Sequence, residues 1–407
     1  MKERAINLSI CTVILCMAIA VPSSAQVSLN GSLDFVMGGG GEEVTFAATE
    51  MPYDFYHGHL AIQEFHLFGY APVGEWSNVE MEILSDLQGD GRLRAPRFGI
   101  LAFNWTPDPG LFSLSLGRIP TPFGIENSKL IPHERTFLTR PLAYSWLLDL
   151  SDTRGYWPSA GSGGIYGVDD VGVTALGFEG LSTGLRMDWA TTTGGWEWML
   201  AITDATPSTS REWTNAFTYA ATARLVHHLN DDVSHGLSVC WGSWMSQDPE
   251  LVPLLGNPTK YRQTLLGLDG RYDWKPIEIV WEALASRWSA PRYGDTTFVP
   301  VNVAGTTPAT TIPLLATGWV DVIWHFNESH GGYAAGRWDM LRPFVMNDPG
   351  DGSSTIWEMG VNRWSFAAGW SLTKSIHTKF SYSNQTLTLE HGQTHDWTAR
   401  LLLSVLF

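Results

Sequence analysis

Residues 396–407 read DWTARLLLSVLF, and taking every second position separates them into two unlike rows. Trp397, Ala399, Leu401, Leu403, Val405 and Phe407 are apolar, whereas Thr398, Arg400, Leu402, Ser404 and Leu406 form a mixed row that contains a charge. A period of two belongs to a β-strand with one face in an apolar medium. A strand in water would rarely leave its last residue aromatic and unprotected. Where the chain is sent, and whether the pattern repeats, decide between a soluble strand and a membrane strand.

The opening stretch, MKERAINLSICTVILCMAIAVPSSAQ, sets Lys2 and Arg4 ahead of an apolar run from Ile10 to Val21, followed by small Ser23 and Ala25. That is a secretory signal peptide with cleavage after Ala25, so residues 1–25 are set apart and 26–407 form the folded domain. Cys16 follows Leu15 where a lipoprotein signal would carry a small residue. Removing the signal leaves Cys240 as the single cysteine, which excludes an intrachain disulfide and reads as a small wall residue.

After the signal, no stretch approaches the ~20 consecutive apolar residues of a spanning helix. The chain instead holds 20 Trp, 12 Tyr, 18 Phe and 41 Gly, with 16% charged residues. Short half-apolar strands flanked by aromatic girdles have this composition. The net charge of −16 argues against nucleic acid as a partner, and against electrostatic docking on an anionic membrane surface.

Alternating segments recur at 97–105, 111–118, 216–226, 276–288 and 317–326. Each is near the ~9–11 residues of a tilted membrane strand. Seven short connections lie at 71–76, 106–110, 191–195, 229–235, 273–276, 327–332 and 372–376. With both ends of the chain in the periplasm, n strands need n/2 − 1 periplasmic turns, so seven turns predict sixteen strands in a closed antiparallel transmembrane β-barrel. Eighteen is the alternative count, because boundaries read from sequence shift by a few residues. Expected strand starts are near 27, 57, 76, 97, 111, 183, 195, 215, 234, 261, 276, 313, 332, 356, 376 and 396. Parity assigns DVGVTALGFEG (170–180) to a loop or to an extension of the next strand, since a separate wall strand there would make the total odd.

One connection, residues 119–182, is out of scale with the rest and is the third outward loop. Phe123, Phe137, Tyr144, Trp146, Tyr156, Trp157 and Tyr166 make it aromatic. Such a loop needs a surface to pack on, and the inner wall of the barrel supplies one. At its mouth stands SLGRIPTPFGIEN (115–127), with Gly117 and Arg118 followed by Pro122, Phe123 and Gly124; Arg135, Arg140 and Asp170, Gly172, Val173 come after. These residues resemble the phosphate-selective porin O and P family. The resemblance implies sixteen-stranded trimeric barrels of the bacterial outer membrane with an inward-folded third loop, and a homotrimer here.

The inward rows give the lumen chemistry. Opposite apolar neighbours, Arg224, Asp269, Arg271, Glu278, Glu282, Asp321, Arg337, Asp339, Glu80 and Glu82 face in, because a charge facing lipid at the midplane costs ~2–4 kcal/mol. Arg118, Lys129, Arg135, Arg140 and Arg154 cluster on the long loop and its mouth and are the candidate constriction residues. Arginine suits anions and phosphate through its planar donor fork. Yet Glu126, Glu134, Asp149 and Asp152 are interleaved with them, so some of these arginines are expected to pin the loop to acidic wall residues.

The expected function is passive diffusion of small hydrophilic solutes or ions, with a slight anion or phosphate preference. The alternatives are a plugged structural or adhesive barrel and, further off, an outer-membrane lipid hydrolase. His391 and His395 in LEHGQTHDW lack a nucleophile motif and a third ligand, so no catalytic residue, metal or cofactor is expected. Expected partners are outer-membrane lipid, the permeating solutes and the barrel-assembly machinery, which reads terminal aromatic strands in proteins of this kind.

Overall fold

The computed structural model describes residues 27–40, 59–86, 95–125, 134–152, 155–156, 172–177, 180–191, 194–208, 218–245, 257–292, 302–303, 307–308, 310–327, 331–347, 352, 354–389 and 392–407. Within them sixteen strands close into one antiparallel barrel. In chain order these are β1 (Ser28–Gly40), β2 (His59–Pro72), β3 (Ser77–Asp86) and β4 (Arg97–Asp108). Then come β5 (Phe112–Pro120), β6 (Leu181–Ala190), β7 (Trp196–Thr203) and β8 (Ala220–Asn230). The far side is β9 (Val233–Ser243), β10 (Arg262–Trp274), β11 (Ile277–Trp288) and β12 (Leu314–Asn327). The last four are β13 (Gly332–Pro343), β14 (Gly360–Ser371), β15 (Ile376–Leu389) and β16 (Gly392–Leu406). The expected starts fall within five residues of these in every case, the widest gap being at β8.

The seven connections read as short join neighbouring strands at one end of the cylinder; the long ones lie at the other, together with the brief β15–β16 connection between Leu389 and Gly392. The described part of 170–180 contains no wall strand, as parity required. Four two-stranded ribbons decorate the long connections, for example Val345–Asn347 with Ser354–Ile356.

Alternation holds along the wall. In β16, Trp397, Leu401 and Leu403 are exposed on the outside, while Thr398, Arg400, Leu402 and Ser404 are buried on the inside. Outward aromatics gather near the short turns, where Trp324, Phe326 and Trp370 form a chain of rings 5.5 and 5.7 Å apart and Trp105 meets Phe112 edge-on. An aromatic girdle at one membrane interface has this placement.

Closure joins β16 to β1, from Ser32 opposite Leu406 to Gly40 opposite Thr398. Phe407 completes it: its carbonyl accepts from the Gly31 amide at 2.9 Å and its amide donates back at 3.1 Å. A side chain at Gly31 would collide with the Phe407 ring, since a Cβ there falls 2.7 Å from Cζ and 2.6 Å from the His66 carbonyl. Deleting Phe407 removes two hydrogen bonds, each worth about 1 kcal/mol net. The expected outcome for this deletion, and for Gly31→Val, is a several-fold lower yield of heat-modifiable folded barrel on electrophoresis; unchanged yield would contradict the closure role.

Candidate functional site

The described parts of the long connection after β5 pack on the inside of the barrel, and its entry is set by the GRIPTPFG stretch. Gly117 and Gly124 both have positive φ, +137° and +69°, which L side chains rarely adopt. Between them Phe123 is buried against β10, so close to Gly267 that a Cβ there would lie 2.8 Å from the ring. The Gly124 amide donates to Ser238 Oγ at 3.2 Å and the Ile125 amide to Glu282 Oε2 at 2.9 Å. Within five residues of leaving β5, the chain is thus anchored on β9 and β11.

The next described segment, 134–140, crosses β13 to β15, and wall side chains take its carbonyls one after another. Lys379 donates to the Arg135 carbonyl, and Tyr333 Oη donates to that of Thr136 at 2.6 Å. Arg337 Nη1 donates to that of Thr139 at 2.9 Å, and Arg363 Nη2 to that of Arg140. Arg337 also lies 4.4 Å from the Phe137 ring and 5.0 Å from that of Trp319. The same guanidinium grips Asp321 with two bonds of 2.6 and 2.7 Å, and Arg363 binds Asp339 at 3.0 Å.

Beyond this crossing, the short helix α1 (Leu142–Ser145) brings Tyr144 Oη to Glu282, at 2.9 and 3.1 Å from its two oxygens. Tyr144, Trp146, Leu148, Leu150, Val173 and Leu176 then pack with wall and outer-loop residues, including Trp244, Trp288 and Trp357, in one apolar cluster. Towards the short turns, beneath the pinned segment, a cavity of about 360 Å³ remains, lined among others by Ile125, Arg135, Thr136, Arg271, Glu278 and His325.

The sequence-predicted residues separate into distinct roles. Arg135 is buried, with Nη2 3.4 Å from Glu64 Oε2 on β2. Glu64 also meets His66 Nε2 at 3.0 Å, whose Nδ1 lies 2.7 Å from Glu82. An imidazole facing carboxylates on both nitrogens satisfies both only as the cation. Arg140 is buried at the turn into α1, where its carbonyl accepts from both Arg363 and Ser145 Oγ. Arg118 is a wall residue of β5, buried, with Nε donating to the Gly99 carbonyl of β4 at 2.9 Å. Lys129, Arg154 and His391 lie outside the described residues.

Of the lumen-wall set, Arg224 binds Asp269 through two bonds of 2.5 and 2.8 Å, and Asp321 pairs with Arg337 as above. Glu278 is shared between Arg271 Nε at 2.8 Å and His325 Nε2 at 3.2 Å. Cys240 is a buried inward residue of β9.

Sequence reading missed Lys379, Arg363, Tyr333, Tyr144, Glu64 and His66. Two of them were within reach of the parity test: Trp364, Phe366 and Trp370 outward make Arg363 inward, and Phe380 with Tyr382 does the same for Lys379. Nothing local marks them as donors to a distant loop.

No protein-family model matches the chain, and no curated protein matches its sequence. Solved structures match in fold. The anion-selective porin from Comamonas acidovorans has a TM-score of 0.57 at 9% identity, over 94% of this chain and 100% of that one. The outer membrane channel DcaP of Acinetobacter baumannii has a TM-score of 0.54 at 11% identity, over 95% and 99%. OmpT, an outer membrane protein of Vibrio cholerae, matches in its in-vitro folded trimer form with a TM-score of 0.51 at 8% identity, over 95% and 100%. At these identities the likeness is one of architecture, a porin-type barrel.

Two measurements test the pinning. Arg337→Met leaves Asp321 buried without its bidentate partner and is expected to cost about 3–5 kcal/mol, whereas Arg337→Met with Asp321→Leu recovers most of that. Thermal midpoints in detergent for the two singles and the double decide it. In the outer loops, the Asp149 amide donates to Glu358 Oε2 at 2.7 Å. Burial and then the neighbouring Glu358 hold the Asp149 carboxyl well above the usual carboxylate range, and burial pushes Glu358 up to about 7. Between 4.5 and about 7 the folded chain keeps a proton on Glu358 that the unfolded chain releases, so stability falls as pH rises through that window. Glu358→Gln is expected to flatten that part of the profile; an unchanged slope would assign it to other groups.

Proposed function

We propose that the chain is an outer-membrane porin that passes small hydrophilic solutes or ions by diffusion through a passage narrowed by the loop after β5. The observation that carries this reading is a sixteen-stranded barrel whose loop is pinned across the lumen above a cavity that charged side chains, Arg271 and Glu278 among them, help to line. Sixteen strands make a cylinder wide enough for an aqueous channel, whereas about eight are filled by their own side chains. The names of the Comamonas porin and the DcaP channel describe conduits of the same architecture and support the assignment. A bacterial outer-membrane location, delivery by a signal peptide and the barrel-assembly machinery, a homotrimeric state and the absence of enzymatic activity belong to the same proposal. The trimer form of OmpT and the porin O and P resemblance favour the trimer.

The finer reading is a slight anion preference, with phosphate among the anions. Arg135 and Arg271 line the cavity, but so do Glu134 and Glu278, so the expected selectivity is small. A specific second reading, a plugged structural barrel, is favoured by the apolar cluster in which loop residues pack with wall and outer-loop residues.

Planar-bilayer recording under a salt gradient separates the two. The expected result is a small single-channel conductance with a reversal potential displaced slightly towards the anion. In Arg135→Ala with Arg140→Ala, the displacement shrinks and the conductance rises, because the loop loses its tie to Glu64. Silence in every bilayer would favour the plug, and cation selectivity untouched by the substitutions would remove the arginines from permeation.

A further inference from the structure

On the outer surface, the rows of β10 to β14 that face away from the lumen are apolar or neutral with three exceptions, all arginine. Arg262 shares the outward face of β10 with Leu266 and Leu268, Arg287 that of β11 with Ile277, and Arg342 that of β13 with Trp338. All three stand at the end that carries the long connections. A cation on the lipid face is tolerated where the hydrocarbon ends and is costly deeper in, so their position marks a membrane interface.

Register puts them at one depth. Arg287 lies opposite Leu314 of β12, and Arg342 lies opposite Ala316, two positions nearer the short turns. Arg262 lies two positions outward of Thr264, the residue opposite Arg287. The row therefore steps towards the short turns as it passes from β10 to β13. The barrel steps the same way: Ile277, at the β10–β11 turn, faces Trp324, three residues short of the end of β12 at Asn327. A line of constant depth follows that slant, and the arginines follow the line. With neighbouring strands about 5 Å apart, the row spans roughly 15 Å around the barrel.

None of the three meets a carboxylate among the described residues. The Arg262 guanidinium lies 5.0 Å from the Tyr219 ring and 4.8 Å from that of Trp241, both outward aromatics, and its buried Nη1 has no hydrogen-bond partner. Arg287 is exposed, and the exposed Arg342 donates to the Asn362 side chain at 3.1 Å. Exposed Ile312, Phe344, Val345 and Ile356 continue the apolar surface past the row. Cations bordered by apolar surface on both sides suit an amphiphile better than a free ion.

We infer that Arg262, Arg287 and Arg342 form a binding site for a membrane lipid whose headgroup carries more than one phosphate. The planar guanidinium fork matches phosphate oxygens, and the spread of the row matches two phosphates on one headgroup better than a single one. The inference rests on the membrane location proposed above but not on conduction. It gives the barrel a preferred leaflet and a bound lipid at one sector of its wall.

The test is lipid retention by the full-length barrel in detergent, followed by native mass spectrometry. The probes are lipid A with two phosphates and the same lipid after dephosphorylation. Wild type is expected to keep the phosphorylated lipid at least tenfold better than the dephosphorylated one, and 10-fold molar excess of inorganic phosphate is not expected to displace it. Arg262→Gln with Arg287→Gln and Arg342→Gln is expected to lose that preference, while the exposed single change Arg287→Gln, which carries little risk to folding, weakens it several-fold. Heat-modifiable mobility confirms that each variant is folded. Equal retention by wild type and the folded triple variant would overturn the site, and so would displacement by inorganic phosphate. So would crosslinks placing the three arginines between copies of the chain. A barrel that retains lipid but never conducts would leave this site standing and remove the channel.

Discussion

A loop lodged inside a barrel has carbonyls shut away from bulk water, and each must find a donor or cost the full price of desolvation. Here the donors come from the wall. Lys379, Tyr333, Arg337 and Arg363 take the carbonyls of residues 135, 136, 139 and 140, and three of the four are cations. Charge-assisted bonds are stronger than neutral ones; Asp321 holds Arg337 by its other two nitrogens, and Asp339 holds Arg363 by Nε and by the same Nη2 that reaches the loop. The loop sits where it does because the strands present these donors in a row.

That arrangement answers a problem of width. Inward side chains of a sixteen-stranded wall cannot meet across the axis, so something else must pack against them. The loop supplies Phe123, Tyr144, Trp146 and Leu148, and the wall and outer loops supply Trp244, Trp288 and Trp357. Phe123 reaches its place because Gly124 permits the turn and Gly267 leaves room for the ring. Polar pinning thus acts on residues 135–140, and apolar packing on Phe123 before them and on 142–150 after them.

Most of the wall was legible in the sequence because the membrane makes the alternation strict. Outward positions must be apolar and inward ones are free to carry charge, so parity alone located Arg224, Asp269, Glu282, Asp321 and Arg337 on the correct face. The loop was legible only as an aromatic excess that needed a surface. What its arginines do was not, because Arg135 and Glu64 are 71 residues apart and meet only after closure. Charge and position along the chain do not say which partners Arg118, Arg135 and Arg140 meet. In the structure Arg118 ties two wall strands together, and Arg135 and Arg140 sit buried in the body of the loop.

Their placement changes what sets the field along a passage. A guanidinium beside a carboxylate acts at a distance as a dipole, whose potential falls off faster than that of a single charge. Salt screens what remains over about 8 Å. The loop arginines therefore weigh less on a passing ion than their number suggests. The exposed groups of the cavity weigh more: Arg271, half exposed, shares Glu278 with His325. Arg271 also lies 3.6 Å from Asp273, so one guanidinium stands between two carboxylates there. The field at the short-turn mouth is thus shared between these wall groups and Glu134 and Arg135 of the loop, which line the same cavity.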